Sequence, residues 1–96
     1  MARAAGDWSQ ALPDVNIIRG RAKVSAYSSV NAAEFLAERG REFVFESHRR
    51  TDLIRFGKYN DAWFEKTASE SYKTLMPIPT DAITASGGSL TQNPGY

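Results

Sequence analysis

The sequence predicts a mainly α-helical protein, with an antiparallel pair of helices followed by an irregular, loop-rich tail. Two observations predict this fold. Apolar residues recur at helical spacing from residue 8 to residue 57, and no clear period follows. Three of the four prolines lie in the last twenty residues, where they favour turns and extended backbone over helix.

The first helix is predicted over residues 8–22. Its apolar face comprises Trp8, Ala11, Val15, Ile18 and Ala22. Pro13 lies inside this pattern and lacks the N–H that a helix interior needs. If Asp7 caps the helix, we expect a kink at Pro13; otherwise the helix begins near Leu12. Ahead of it, Ala2–Ala5 are compatible with a short helical stub.

The second helix is predicted over residues 30–57, with Ser28 or Ser29 as its N-cap. Its apolar face comprises Ala33, Leu36, Ala37, Gly40, Phe43, Val44 and Ser47. Gly40 is expected to allow close packing by another helix. The segment Arg49–Phe56 either continues the helix or restarts it with Asp52 as a cap, and Gly57 is a suitable stop.

The tail, residues 58–96, shows no sustained helical period. Two prolines impose extended geometry on Lys73–Pro79, because the residue before a proline avoids the helical region. Asp81–Ala85 is long enough for a single helical turn. Glycine and proline mark the remaining residues as loops.

Composition excludes several classes of function. Twelve Lys and Arg residues against eleven Asp and Glu residues give a net charge of +1, so we expect no nucleic-acid partner. With no cysteine, the chain has no disulfide and no thiolate metal site. His48 is its only histidine and is expected to be structural, so we predict no metal and no cofactor. The chain contains no targeting signal and no apolar run of membrane-spanning length.

An acidic stripe repeats every four residues, at Glu34, Glu38, Glu42 and Glu46. Paired carboxylates would suit glycoside hydrolysis. We favour a structural interpretation, in which the stripe is partly buried and paired with arginines, because like charges at this spacing repel one another. In particular, Glu38 or Glu42 should be buried and paired with an arginine outside residues 34–46, with Arg19 and Arg55 as the leading partners.

Two tryptophans, Trp8 and Trp63, are weak candidates for stacking on sugar rings. Aromatic residues more often serve a protein core than a ligand platform. The sequence leaves both alternatives open.

The segment from Glu38 to Lys58, ERGREFVFESHRRTDLIRFGK, resembles the signature of the SusD/RagB family of outer-membrane glycan-binding lipoproteins. The matching positions are Glu38, Arg41, Glu42, Glu46, His48, Arg49, Asp52 and Arg55. The later segments LMPIP and LTQNPGY resemble family motifs too, and residues 6–22 are similar to the helix before the signature. Ser47 stands where the family usually has glycine, Thr51 where an aromatic is common, and Pro13 interrupts the upstream helix.

The resemblance implies a tetratricopeptide-like, α-α superhelix type of helix pair within the C-terminal part of a longer protein, with residues 1–96 forming one segment. It also implies a lipoprotein of Bacteroidota, lipid-anchored upstream of this chain at the cell surface. Such proteins bind oligosaccharides or polysaccharides, do not hydrolyse them, and deliver them to a SusC-like TonB-dependent transporter of the outer membrane. The family's sugar site is expected mostly outside this chain, which makes the matching positions a structural signature.

Two other functions stay open at the sequence level. One is a generic helical-repeat module for protein–protein interaction, without a sugar role. The other is a carbohydrate-active enzyme that uses the acidic stripe.

Overall fold

A computed structural model of the protein describes residues 7–96, so the stub at Ala2–Ala5 lies outside the described residues. These residues are mainly helical and contain no β-strand, which confirms the predicted fold class. The chain divides into two compact units, Met1–Phe56 and Gly57–Tyr96. The helices are α1 (Leu12–Arg21), α2 (Ala32–Glu42), α3 (Arg49–Arg55) and α4 (Thr80–Ala85), with 3-10 turns at Ser9–Ala11 and Ser71–Thr74.

Helix α1 begins at Leu12, and Pro13 lies in its first turn. A proline is tolerated there because the first N–H groups of a helix have no partner within it. Just before the helix, the Asp7 carboxylate accepts a hydrogen bond of 2.9 Å from the Ser9 N–H. That backbone bond, and a second from the Ser9 hydroxyl, lower the pKa of Asp7. The alternative of a helix starting near Leu12 is therefore confirmed.

Helix α2 begins at Ala32, and its N-cap is Asn31. The Asn31 side chain accepts from the Glu34 N–H at 2.9 Å, and the Glu34 carboxylate accepts from the Asn31 N–H at 2.8 Å. This reciprocal capping box satisfies two helix-terminal donors at once. The prediction of Ser28 or Ser29 as the cap is wrong, because the helix begins only at Ala32 and Asn31 is the residue directly before it.

The predicted helix over residues 30–57 is broken into α2 and α3 by the turn at residues 43–48. Phe45 and Ser47 adopt left-handed backbone, with φ of 63° and 61°. This geometry ends α2, and α3 restarts at Arg49, as one of the two alternatives predicted. Asp52 lies inside α3 and does not cap it, contrary to prediction. Gly57, with φ of 68°, follows the end of α3 and confirms the predicted stop.

The segments around α1 and α2 meet at several points. Trp8, just before α1, contacts Phe35, and Arg21 at the end of α1 pairs with Glu42 at the end of α2. These contacts hold α1 and α2 together within the confirmed mainly α fold. The connection, residues 22–31, runs back along α1: the Asn16 amide exchanges hydrogen bonds of 2.8 and 3.0 Å with the Tyr27 backbone.

The apolar core of unit Met1–Phe56 is small. Its buried hydrophobic residues are Val15, Val30, Leu36 and Leu53. Full burial of each stabilises the fold by about 1.5–3 kcal/mol. Beside them, the rings of Trp8, Phe35 and Phe56 contact one another with centroid separations of 5.1 to 6.3 Å; the Phe56 ring stacks on the other two, and Trp8 and Phe35 are tilted by 38°. These rings join the start of the unit to α2 and to the end of α3.

Unit Gly57–Tyr96 contains no buried residue. The predicted turn at Asp81–Ala85 is present as the six-residue helix α4. Polar side chains fasten the end of the chain to the proline-containing segment. The Gln92 amide donates to the Ile78 carbonyl at 2.9 Å and accepts from the Ile78 N–H at 2.8 Å. Asn93 and the Tyr96 hydroxyl donate to the carbonyls of Met76 and Leu75 at 2.6 and 3.0 Å.

Gly95 completes this C-terminal clasp, the contacts of residues 92–96 with residues 72–78. Its φ is +93°, and an added Cβ would lie 2.7 Å from the Tyr72 Cδ1 atom. The Tyr72 ring in turn meets the Tyr96 ring edge-on at 5.0 Å. Glycine is thus required at this position for both conformation and space. Among the described residues, no helix has the length and apolar character needed to cross a membrane.

Candidate functional site

The first functional candidate is the Glu38 carboxylate, which lies on α2 with only 6% of the residue exposed. The Arg19 guanidinium, from α1, donates to it at 3.0 Å, and Arg41 donates to the same oxygen. The Arg19 guanidinium also stacks on the Tyr27 ring at 3.8 Å and donates to the Ser25 carbonyl at 2.6 Å. The predicted pairing of a buried Glu38 with Arg19 is confirmed.

The electrostatics of Glu38 favour a permanently charged structural group. Burial acts to raise the pKa of Glu38, but the hydrogen bonds and charges of Arg41 and Arg19 outweigh it, and the net pKa is lowered. Hydrogen bonding to Glu38 raises the pKa of Arg41. A general acid in glycoside hydrolysis needs a raised pKa. Glu38 is therefore suited to joining α1 and α2 and not to donating a proton.

A second buried carboxylate, Asp52, joins α2 to α3. It is 2% exposed, and its Oδ2 atom accepts from Arg39 Nε at 2.8 Å. Arg55 lies one turn further along α3, with its Nη1 atom 3.9 Å from Asp52 Oδ1. The predicted partner Arg55 thus serves Asp52 and not the acidic stripe. Sequence reasoning placed Asp52 in the signature but missed its burial.

Arg49 and Gly40 form a third contact between α2 and α3. The Arg49 guanidinium donates to the Leu36 carbonyl at 2.8 Å. A Cβ added at Gly40 would lie 2.7 Å from Arg49 Nη1, so glycine leaves the room that this hydrogen bond needs. The packing predicted against Gly40 is present, with an arginine side chain as the packing group.

The remaining signature residues lie nearer the surface. Glu42 is half-buried and pairs with Arg21, a partner that the sequence did not indicate. Glu46 is exposed in the turn after α2. His48 is exposed as well and meets the Phe43 ring edge-on at 5.1 Å. The acidic stripe therefore does not converge on one site.

A cavity of about 200 Å³ lies between α1 and α2. Its lining residues are Ala11, Asp14, Val15, Ile18, Phe35, Glu38, Arg39, Glu42 and Phe43. Glu38 and Glu42, which lie on its wall, each form an ion pair with an arginine. Among the described residues, no group of three or more potential ligands could hold a metal ion. The carboxylates of Glu38 and Glu42 on the cavity wall are therefore engaged in ion pairs.

The two tryptophans lie in different environments. Trp8 is half-buried in the ring stack with Phe35 and Phe56, which indicates a packing role. Trp63 is 57% exposed, and its neighbour Phe64 is 85% exposed. Of the two sugar-stacking candidates, only Trp63 presents a ring that a ligand can reach.

The comparisons with known proteins agree with the signature. The model of the SusD family matches residues 2–68. The chain is also 36% identical, over an alignment of 104 positions, to a curated protein named Starch-binding protein SusD from Bacteroides thetaiotaomicron. That alignment covers 98% of this chain and 18% of the relative, so the chain spans about a fifth of the relative's length. The chain belongs to the SusD family.

The ion pairs of Glu38 and Asp52 and the Arg49 contact all lie within residues 2–68, the range that the family model matches. These contacts join α1, α2 and α3, and each of the three charged side chains has a hydrogen-bond partner. Sequence reasoning missed Asn16, Asn31 and Gln92, whose amides bind backbone groups. Only Asn31 had a recognisable signal, the glutamate three residues later.

Proposed function

We propose that this chain is the C-terminal scaffold part of a cell-surface glycan-binding lipoprotein, which captures oligosaccharides for a TonB-dependent outer-membrane transporter. The observation that carries the proposal is the match to a starch-binding relative over 98% of the chain. The match to the SusD family model supports it independently. Because only 18% of the relative is covered, the glycan, the transporter and the lipid anchor all belong to the proposal.

The geometry of unit Met1–Phe56 supports a scaffold role. Its charged side chains link α1, α2 and α3 to one another. The lowered pKa of Glu38 keeps that carboxylate ionised at neutral pH, which suits an ion pair and not a catalytic acid. Under this proposal the protein binds glycans and does not hydrolyse them.

The test uses the complete gene product that contains these residues. Migration in native gels is compared with and without dissolved starch and a panel of other polysaccharides. We expect at least one polysaccharide to retard the protein while bovine serum albumin, run alongside, is unaffected. We also expect no new reducing ends after prolonged incubation. Release of reducing ends would instead support a carbohydrate-active enzyme.

The transporter is tested separately. The complete gene product is co-expressed with the TonB-dependent transporter encoded beside it, and the two are purified from detergent-solubilised outer membranes. We expect them to co-purify. Co-purification without binding to any glycan would favour the alternative of a protein–protein interaction module and contradict the glycan-binding role.

A further inference from the structure

The loop of residues 60–69 is held together by polar groups. At its base, the Ser69 N–H donates to the Asn60 carbonyl at 3.0 Å, and the two side chains are hydrogen-bonded at 3.1 Å. At its tip, Trp63 and Lys66 exchange two backbone hydrogen bonds, of 3.0 and 2.8 Å. Glu65, with φ of 57°, makes the reversal between them. The loop is thus closed at both ends.

The Lys66 ammonium braces the interior of this loop. It donates to the carbonyls of Asp61 and Thr67 at 2.9 and 3.2 Å, and to the Ser69 hydroxyl at 3.4 Å. An ammonium has three donors, and three acceptors surround it here. A compact loop closed by its own contacts is a frequent setting for function.

The aromatic residues of the loop take no part in this bracing. Trp63 and Phe64 are 57% and 85% exposed, and within the described part of the chain neither ring stacks on another. A rigid backbone therefore presents an indole and a phenyl ring outward. Two carboxylates, Asp61 and Glu65, lie two residues before and after Trp63. One oxygen of the Asp61 carboxylate accepts from Lys58 Nζ at 3.1 Å, which leaves its other oxygen as the acceptor for a ligand.

We propose that Trp63, on this lysine-braced loop, is a stacking platform for a pyranose ring, with the carboxylates of Asp61 and Glu65 as acceptors for its hydroxyls. The face of an indole carries partial negative charge, which attracts the C–H groups on the apolar face of a sugar. The centre of a protein–protein interface is depleted of charged residues, whereas charged residues surround Trp63 in this loop. The proposal rests on the glycan-binding function proposed above and adds a subsite to it.

The site is tested by nuclear magnetic resonance on the ¹⁵N-labelled chain. The protein has two tryptophans, so it gives two indole N–H signals, and the Trp63→Phe variant assigns them. Maltoheptaose, xylohexaose and cellohexaose are titrated separately. We expect the Trp63 signal to move with at least one of them, while the Trp8 signal serves as the internal control and stays in place. Three stationary titrations, or movement of Trp8 alone, would overturn the proposal.

Two variants in the complete gene product separate this site from the wider function. Trp63→Ala should weaken glycan binding about tenfold or more, equivalent to about 1.4 kcal/mol, and Phe64→Ala should weaken it less. An unchanged Lys66 amide signal would show that the loop is intact.

The outcomes separate the two proposals. If the wild type binds glycan and Trp63→Ala binds equally well, the subsite is wrong and the proposed function stands. If the wild type binds no glycan, both proposals fail. If only the transporter perturbs the Trp63 signal, the loop is a protein contact and the sugar subsite is wrong.

Discussion

The two units of this chain are stabilised in different ways. Unit Met1–Phe56 buries two carboxylates, Glu38 and Asp52, beside a few apolar residues, and arginines on neighbouring segments neutralise them. Unit Gly57–Tyr96 has no buried residue and is held together by amide side chains that bind backbone groups. The first unit buries few apolar residues and the second buries none, so specific polar contacts decide which chain segments meet.

This difference predicts different sensitivities to mutation. A buried ion pair that loses one member leaves an uncompensated charge in a poorly solvated place. A clasp made of neutral amides and a glycine loses its contacts at lower cost, since the released groups can bind water. Charge changes should therefore affect the first unit most, and changes of shape the second.

The largest effect is expected for Glu38→Gln. The substitution leaves the buried end of Arg19 without a counter-charge and should lower the free energy of unfolding by about 3–5 kcal/mol. Urea titration followed by far-ultraviolet circular dichroism measures this value. If the variant has lost its helix signal before any urea is added, the substitution has removed all of the stability of the fold. The control is Glu46→Gln, from the same acidic stripe but exposed, which should cost less than about 1 kcal/mol. Equal effects of the two substitutions would contradict the distinction.

An intermediate effect is expected for Gly95→Ala in the C-terminal clasp. Gly88→Ala is a matched control, since both glycines have φ of +93° but only Gly95 faces another side chain, that of Tyr72. Left-handed backbone should cost both variants about 1–2 kcal/mol. Overpacking against Tyr72 should cost Gly95→Ala about 1–3 kcal/mol more. Hydrogen exchange at the Ile78 amide, which binds Gln92, reports the opening of the clasp; equal protection in both variants would show that the clasp does not depend on this contact.

The smallest effect, and a stabilising one, is expected for Ser47→Gly. Ser47 adopts a φ of 61°, where a residue with a Cβ is strained by about 1–2 kcal/mol. Glycine relieves this strain but gains freedom in the unfolded chain, so the net gain should be about 0.5–1 kcal/mol. Ser28→Gly, at an exposed position without positive φ, should give no gain. A loss of stability in Ser47→Gly, measured by the same urea titration, would show that the serine side chain itself matters.

Sequence periodicity predicted α1 and α2 from apolar residues at helical spacing, of which Val15 and Leu36 are buried. Pro13 and Gly57 then fixed where α1 begins and where α3 ends, since each acts through its own backbone geometry. The break after α2 was not predictable from local rules, because Phe45 and Ser47 adopt a conformation that their residue types disfavour. Only the family's usual glycine, which this chain lacks at Ser47, pointed to that position.

Some ion pairs were predictable from the sequence, and others depend on the tertiary structure. Arg19 was predictable as the partner of Glu38 because it borders the apolar face of the first helix, which packs against the second. The pairing of Asp52 with Arg39, and of Glu42 with Arg21, depends on how the helices are placed in space. No spacing in the sequence encodes this placement. The same holds for Trp63, whose exposure depends on how its loop is folded.

The central claim is that a buried, ionised Glu38 joins α1 and α2. Its most direct test is a pH titration of the Glu38 side-chain carboxyl by ¹³C nuclear magnetic resonance. Because the folded pKa is lowered, the ion pair stabilises the fold above the ordinary glutamate value of 4.5, and this stabilisation is lost as the pH falls below it. We predict a midpoint clearly below 4.5 for Glu38 and a free energy of unfolding that falls with acidification less steeply in Glu38→Gln. A midpoint at or above 4.5 would show that burial outweighs Arg19 and Arg41, and would contradict the account.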